Sequence, residues 1–381
     1  MATLIERAGV MMAPEDAQLY DELTQKIDYF DRLQYCYKIK LNSCYGALLN
    51  KHFRFHDSRN GESTTGTGRA ILKFMCGRAN EIITGVHDPL GEAVIYGDTD
   101  SCYFRVYDVN KDNLTHLSKQ ELLDKTVLRA DEIADLINES FPAFMEDSFL
   151  CTGEYATRIK AGREIVATRG IFVTPKRYML LVADEEGKRV FDGAPDKLKV
   201  MGLDTKKTSL PKYIQVALND FMGRFLRGED WEIIAKDIVD FKDNMRKSDI
   251  SLLGLPKAVN KVELYHQTLM VEGEKARLPG HVRAAIYYNQ KLDEYGDKAS
   301  LRISSGMKCR VFYLQRPEGK FKAIAVPTDL KALPEWFSNI RVDVDLQVTK
   351  LVDAPLENIL RVIGKVPPSK QTLFLDTLLE F

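Results

Sequence analysis

The sequence lacks long apolar runs and a secretion signal. No apolar run approaches the ~20 residues that a helix needs to cross a bilayer. Residues 1–16 lack the charged start, apolar centre and small-residue cleavage site of a signal peptide. The sequence therefore predicts a cytoplasmic protein with no membrane partner.

Paired cysteines and an excess of charge are also missing. The six cysteines form no CxxC pair, and the six histidines are dispersed, which argues against a zinc site and a Cys–His nucleophile. We expect free thiols in a reducing compartment. The 54 basic and 55 acidic residues nearly cancel. A nucleic-acid partner is still possible, because local patches neutralise phosphates and the total charge does not decide this.

The 381 residues, 45% of them hydrophobic, are enough for two domains with cores. Apolar residues recur every three or four positions from Pro14 to about Asn50, which predicts a helix of over thirty residues, part of it projecting. Further helices are predicted at 63–85 and 119–148. Residues 154–205 have a β-rich pattern and 211–247 a helical one, so we place a domain boundary near residue 205.

A pair of aspartates, Asp98 and Asp100, lies in the stretch VIYGDTDSCYFRV, residues 94–106. Strand-like flanks predict a tight turn there, with both carboxylates facing one spot, where Mg²⁺ could bind them together with substrate phosphates. A calcium loop also begins D-x-D, but Tyr103 occupies its glycine position and Cys102 a ligand position. A plain surface turn rich in aspartate is the remaining alternative.

Three other groups have the composition of a nucleotide or nucleic-acid site. Lys38, Asn42 and Tyr45 share one helix face, and can contact a phosphate, a sugar edge and a base; a solvated face is the alternative. The stretch TPKRYML (174–180) and the basic run KLKVMGLDTKKTSLPK (197–212) offer phosphate contacts. A protected strand edge and a solvated linker are the respective alternatives.

In their order along the chain these motifs resemble the B-family DNA polymerases, most of all those of T-even-type bacteriophages. The string K-x-x-x-N-S-x-Y-G is followed by YGDTDS and then by K-x-Y. FRFHDSRN, PGHVRAAIYYN and the C-terminal QTLFLDTLLEF extend the similarity over almost the whole chain.

The resemblance implies an α+β fold: a palm with a partial fingers helix, followed by a mainly helical thumb. It assigns residues 1–50 to the C-terminal part of the fingers, 51–205 to the palm, 206–369 to the thumb and 370–381 to a clamp-binding tail. A final helix packed on the thumb is the alternative for that tail. The implied protein is a phage-encoded enzyme in the cytoplasm of its host.

The resemblance also implies roles for individual residues. The catalytic and metal-binding carboxylates would be Asp98 and Asp100, holding two Mg²⁺ ions with a further ligand from a partner chain. The dNTP would meet Lys38, Asn42 and Tyr45. The primer–template DNA would meet Lys176, Arg177, Tyr178, Lys206, Lys207 and Arg283. A sliding clamp would bind Leu373, Phe374, Leu378 and Phe381.

One family motif is missing. The other metal-binding aspartate belongs to a motif of the type D-x-x-S-L-Y-P-S, and the 381 residues contain no such string. We therefore expect the C-terminal subunit of a split polymerase, with an N-terminal partner chain that supplies the aspartate and the 3′–5′ exonuclease. A non-catalytic module that binds DNA and a clamp is the alternative, and a truncated piece of a longer polymerase is a third reading.

Overall fold

The chain divides into two compact units, residues 1–111 and 112–381, which we call the N-terminal and C-terminal units. The computed structural model describes residues 5–7, 10–108, 114, 116–189, 197–273, 276–330 and 332–373. The predicted domain boundary near residue 205 falls inside the C-terminal unit, and the assignment of fingers, palm and thumb stays a prediction.

The N-terminal unit begins with a small antiparallel hairpin, β1 (Ile5–Arg7) and β2 (Val10–Met12), and continues with the long helix α1 (Pro14–Leu49). The predicted long helix is therefore confirmed. Pro14 opens its first turn, and Glu15 and Asp16 follow at the positive end of the helix dipole. Ala17 is the buried residue of α1, and the apolar stripe is largely exposed, with Ile27 and Phe30 each 60% accessible.

Helix α2 (Ser58–Thr84) begins five residues before its predicted start. Asp57 caps it by accepting a hydrogen bond of 2.9 Å from the backbone N–H of Arg59. The helix ends at Gly85, whose φ of 90° stops it in the left-handed conformation. The predicted hairpin follows as β3 (Val94–Asp98) and β4 (Ser101–Phe104).

The C-terminal unit opens with α3 (Lys119–Phe149), started by a capping box between Ser118 and Glu121. Pro142 lies inside this helix, which runs beyond it to Phe149. A four-stranded antiparallel sheet follows: β5 (Ile165–Thr174), β6 (Arg177–Glu185), β7 (Lys188–Arg189) and β8 (Lys197–Met201), with β6 paired to the other three. The β-rich character of residues 154–205 is confirmed.

Helices α4 (Lys212–Arg227) and α5 (Trp231–Lys247) pack on this sheet together with α8 (Val344–Val348), a π-helical turn (Thr349–Asp353) and α9 (Ala354–Val362). Their shared core takes side chains from both sides of the predicted boundary, among them Met179 and Leu203 before it and Ile214 after it. The hydrophobic burial therefore couples the sheet and these helices into one body.

A second core lies among α6 (Val262–Glu272), α7 (Gly280–Glu294) and a three-stranded sheet. That sheet has the order β11 (Phe321–Pro327), β10 (Lys308–Glu318), β9 (Leu255–Ala258) and is antiparallel. The predicted thumb segment was expected to be mainly helical, and this sheet is its unpredicted part. The observed mixture of helices and antiparallel sheets confirms the α+β class. None of the helices in the described part of the chain is long and apolar enough to cross a membrane.

Candidate functional site

The two aspartates lie at the tip of the β3–β4 hairpin, which has a two-residue turn. Asp98 pairs with Ser101, so Thr99 and Asp100 form the turn itself. Thr99 has a φ of 54°, in the left-handed region that tight hairpin turns require. Asp98 is half-buried and Asp100 exposed. From the sequence we expected both carboxylates to face one spot at the turn. The strand register instead places Ser101 opposite Asp98, with Asp100 inside the turn.

Short hydrogen bonds fix this tip. The backbone N–H of Asp100 donates to the carbonyl of Asp98 over 2.6 Å, and the Ser101 hydroxyl donates to the same carbonyl over 3.2 Å. The Thr99 hydroxyl donates to the Asp98 carboxylate over 3.1 Å. These contacts leave Asp98 and Asp100 two positions apart on a constrained turn. Among the residues that the structure describes, no group of three His, Cys, Asp or Glu side chains forms a metal site, so the hairpin alone offers a partial one.

The hairpin flanks are aromatic and packed. Tyr96 on β3 stacks on Tyr103 on β4, with ring centroids 6.0 Å apart. Gly97 pairs with Cys102, and a Cβ at Gly97 would lie 3.4 Å from the sulfur of Cys76 on α2. The part of the hairpin directly below the aspartates therefore packs on α2.

The predicted nucleotide-binding residues lie in the C-terminal half of α1, where helical spacing places them on one face. Lys38 and Asn42 are exposed and Tyr45 is half-buried. Between them the Ser43 hydroxyl donates to the carbonyl of Ile39 over 2.7 Å, so this serine is used within the helix. Two of the three predicted residues are therefore accessible from solvent, and the third is partly covered.

The predicted primer-binding residues lie at the β5–β6 turn of the C-terminal unit. Lys176 is in the turn with a φ of 62°, and Tyr178 is 8% exposed with its ring 5.4 Å from that of Phe172. Arg177 donates its Nε hydrogen to the carbonyl of Gly202 over 3.2 Å. Gly202 itself has a φ of 60°, and a Cβ there would lie 2.1 Å from the carbonyl oxygen of Lys176. The turn is thus fixed against the segment after β8.

Asp204 brings two of the predicted DNA-binding cations together. Its carboxylate accepts hydrogen bonds from Arg177 and from Lys207, each within ion-pair distance. Burial alone would raise the pKa of Asp204, but the Lys207 hydrogen bond and the Arg177 charge outweigh it and hold that pKa below its usual range. Lys206 donates to the carbonyl of Val200 over 3.3 Å.

The remaining predicted residues are dispersed. Arg283 on α7 donates to the backbone carbonyl of Ala276 over 2.9 Å and approaches that of Lys320 at 3.5 Å, so part of its guanidinium is used inside the fold. In the predicted clamp-binding tail Leu373 is half-buried. The other three tail residues, Phe374, Leu378 and Phe381, lie outside the described residues.

Residues 17–129 match DNA polymerase family B. That stretch contains both the Lys38–Asn42–Tyr45 face and the aspartate hairpin. The polymerase-like region thus includes the two groups of the N-terminal unit that the sequence singled out.

The chain is also similar to two phage enzymes named DNA-directed DNA polymerase. It is 30% identical over 306 residues to that of Escherichia phage RB69, covering 76% of this chain and 32% of the relative. It is 28% identical over 331 residues to that of Enterobacteria phage T4, covering 81% and 34%. A DNA polymerase of Methanocaldococcus jannaschii is 32% identical over 152 residues, 40% of this chain and 7% of that protein. The chain spans about a third of the length of the two phage relatives.

Sequence reasoning missed Asp204 as a partner of Arg177 and Lys207. A signal was present, because Asp204 is the single acidic residue among the lysines of the basic run 197–212. Sequence reasoning also missed the contact between Cys76 and Cys102. These cysteines are 26 positions apart and meet because the hairpin packs on α2.

Proposed function

We propose that this chain is the palm-and-thumb part of a template-directed DNA polymerase, which adds dNTPs to a primer 3′-hydroxyl. The observation that carries the proposal is the β3–β4 hairpin. It places Asp98 and Asp100 on one constrained turn inside residues 17–129, the stretch that matches DNA polymerase family B. A mere surface turn would not require this combination of acidic tip and aromatic, packed flanks.

The donor set at the hairpin fits Mg²⁺ in part. Magnesium in nucleotide enzymes takes one or two carboxylates and completes its coordination with phosphate oxygens and water. Asp98 and Asp100 would hold it, and the bound ion would lower the pKa of the primer hydroxyl and neutralise charge on the leaving pyrophosphate. The hairpin's part is to hold the two residues two positions apart on a constrained turn.

The α1 face would receive the incoming nucleotide. Lys38 would pair with the triphosphate as a point charge. Asn42 and Tyr45, one and two helical turns further on, would shape the pocket for the sugar and base. The exposure of Lys38 and Asn42 and the partial burial of Tyr45 support this division between a polar grip and a stacking surface.

The C-terminal unit would hold the primer–template duplex. Lys176 and Arg177 would contact backbone phosphates next to the primer end, with Tyr178 packed beneath them, and Lys206, Lys207 and Arg283 would contact the duplex further along. Such contacts fix register and orientation, and they carry no sequence information. The tail after residue 369 would bind a sliding clamp through its apolar residues.

One further metal-binding aspartate would come from polypeptide outside these 381 residues. Two aspartates on one turn lack an opposing ligand, and the described residues bring no third carboxylate to them. We propose that an N-terminal partner chain supplies the missing aspartate and the exonuclease. The exposed apolar stripe of α1 is consistent with a surface that another polypeptide covers.

The second candidate is a non-catalytic module that binds DNA and a clamp. The observation that favours it is the same incomplete donor set at the hairpin. In that case Asp98 and Asp100 would be dispensable, whereas the C-terminal cations would still bind duplex DNA.

Replacing Asp100 separates the two candidates. Asp100→Asn keeps the shape of the side chain and removes its charge, so it should abolish primer extension by the complex with the partner chain. Duplex binding, measured by fluorescence anisotropy, should stay equal or become tighter, because a carboxylate that repels phosphates is removed. The control is Glu92→Gln, at an exposed position of the same unit, which should extend primers as the wild type does. Full extension by Asp100→Asn would exclude the enzymatic role.

A further inference from the structure

Two of the six cysteines lie side by side in the N-terminal unit. The Cys76 thiol on α2 donates to the sulfur of Cys102 on β4, with the two Sγ atoms 3.1 Å apart. That separation is about 1 Å longer than a disulfide bond. Both residues are free thiols, Cys76 buried and Cys102 half-buried. The fold has therefore brought two thiols almost to bonding distance.

The other cysteines are placed differently and serve as internal comparisons. Cys36 and Cys44 are exposed and eight positions apart on α1, a helical distance of about 12 Å. This exceeds the Cα separation of about 7 Å beyond which a disulfide cannot close. Cys309 is buried in the C-terminal unit.

The surroundings of the pair favour close approach of the sulfurs. Cys102 pairs across the hairpin with Gly97, and a Cβ at Gly97 would lie in van der Waals contact with the Cys76 sulfur, 3.4 Å away, so Cys76 packs against the hairpin at this pair. Cys102 follows Asp100 by two residues, so the pair lies immediately below the turn that carries both aspartates.

The hydrogen bond between the two thiols also affects Cys76. When Cys76 loses its proton, the Cys102 thiol can donate a hydrogen bond to the Cys76 thiolate, which lowers the pKa of Cys76. Cys76 is therefore the sulfur that attacks first, and the Cys102 sulfur lies 3.1 Å away, close enough to take the second step.

We propose that Cys76 and Cys102 form a redox-active dithiol, which a peroxide converts into a disulfide beneath the aspartate hairpin and which a dithiol reductant restores. A peroxide is small enough to approach a buried sulfur. The Cys76 thiolate attacks one peroxide oxygen, the O–O bond breaks, and a sulfenic acid forms while the leaving oxygen takes up protons as water.

The Cys102 sulfur then attacks the Cys76 sulfur. The S–O bond breaks, the S–S bond forms, and the leaving oxygen carries away the Cys102 proton in a second water. Two thiols have lost two electrons in total, and one peroxide has become two waters. A dithiol reductant reverses the change through two exchange steps and is itself left as a disulfide.

Oxidation would act on the hairpin. Forming the bond draws the two sulfurs together by about 1 Å, which pulls β4 towards α2 and moves the turn above it. A misplacement of about 1 Å at a reacting group can lower a rate about 100-fold. This consequence rests on the proposed function, whereas the disulfide itself does not.

The test is a thiol map of the full chain. Reduced protein is treated with rising concentrations of hydrogen peroxide, unfolded in iodoacetamide and digested without reduction, and its peptides are weighed. We expect a cross-linked peptide pair containing Cys76 and Cys102 at peroxide concentrations that leave Cys309 alkylated, and we expect dithiothreitol to remove it. Cys309→Ser should form the same cross-link. Cys102→Ser should form none, and its Cys76 should proceed to the sulfinic acid.

Two results would overturn the proposal. One is that Cys76 and Cys102 are recovered singly alkylated when exposed Cys36 is already oxidised. The other is that both become sulfinic acids with no cross-link between them. The map of the wild-type chain decides the matter even where Cys102→Ser fails to fold.

Primer extension with the partner chain tests the consequence separately. Oxidation should reduce extension by at least about tenfold, dithiothreitol should restore it, and Cys102→Ser should escape this reversible loss. A cross-link that leaves extension unchanged would remove the regulatory effect and keep the dithiol. Absence of extension by the reduced complex would count against the proposed function, and the thiol map would still decide the dithiol.

Discussion

Asp204 offers a prediction about how strongly the C-terminal unit holds DNA. Its carboxylate is 21% exposed and pairs with Arg177, 28% exposed, and Lys207, 57% exposed. Both cations are proposed to contact phosphates, and each is partly neutralised by this one carboxylate. Asp204→Asn keeps the size of the side chain and removes the charge. The variant should therefore bind a primer–template duplex more tightly at low salt and lose affinity more steeply as salt rises.

The size of the effect follows from counterion release. Each added phosphate contact steepens the plot of log affinity against log salt by about 0.9, so two cations add up to about 1.8. Between about 50 mM and about 200 mM salt the variant should then lose roughly tenfold more affinity than the wild type. Fluorescence anisotropy of a labelled duplex, repeated over a salt series, measures both slopes.

A matched control removes the same charge elsewhere. Glu357→Gln frees Arg361 from an exposed ion pair on α9; neither residue is a predicted DNA contact, so the variant should keep the wild-type slope. Equal slopes for Asp204→Asn, Glu357→Gln and the wild type would refute the reasoning. Weaker binding by Asp204→Asn would mean that the carboxylate orders the two cations for DNA, contrary to the neutralisation argued here.

Two further predictions concern the stability of the C-terminal unit. Asp184 is 1% exposed and pairs with Arg163. Asp184→Asn should therefore lower the unfolding free energy in a urea titration by about 3 kcal/mol. This value is the lower end for a broken buried pair, because Asp131 still binds Arg163. Hydrogen bonds led by that with Ser300 lower the pKa of Asp297 to about 2. The stability that these bonds provide is therefore complete above about pH 4 and is lost as pH falls towards 2. Between about pH 4 and pH 2 the urea midpoint should fall less for Asp297→Asn than for the wild type. An equal fall in both proteins would contradict the assignment of this stability to Asp297.

Local signals made much of the fold predictable. The start of α1 follows from Pro14 with two acidic residues after it, and the β3–β4 hairpin follows from strand-like flanks around a turn. The early start of α2 was missed because the cap formed by Asp57 was not recognised as a start signal. The β10–β11 hairpin also had a local signal in Gly319, which has a φ of 57° between two apolar strands.

Other features depend on contacts between distant residues and could not be predicted from local patterns. Strand β9 lies about fifty residues before its partner β10, and its pairing requires the whole second core. The pairing of Asp204 with Arg177 depends on the packing of the β5–β6 turn against Gly202. The register that puts Ser101 opposite Asp98 depends on one residue of turn length, which sequence patterns specify poorly. The residues of the site were named from the sequence, but their partners came from the tertiary structure.

The most direct test of the central claim is primer extension on a primed template with dNTPs and Mg²⁺. The chain is assayed alone and then with a second chain that carries the D-x-x-S-L-Y-P-S aspartate and the exonuclease. Our account predicts synthesis in the mixture and none with this chain alone, because Asp98 and Asp100 lack their opposing carboxylate. Synthesis by this chain alone would contradict that account.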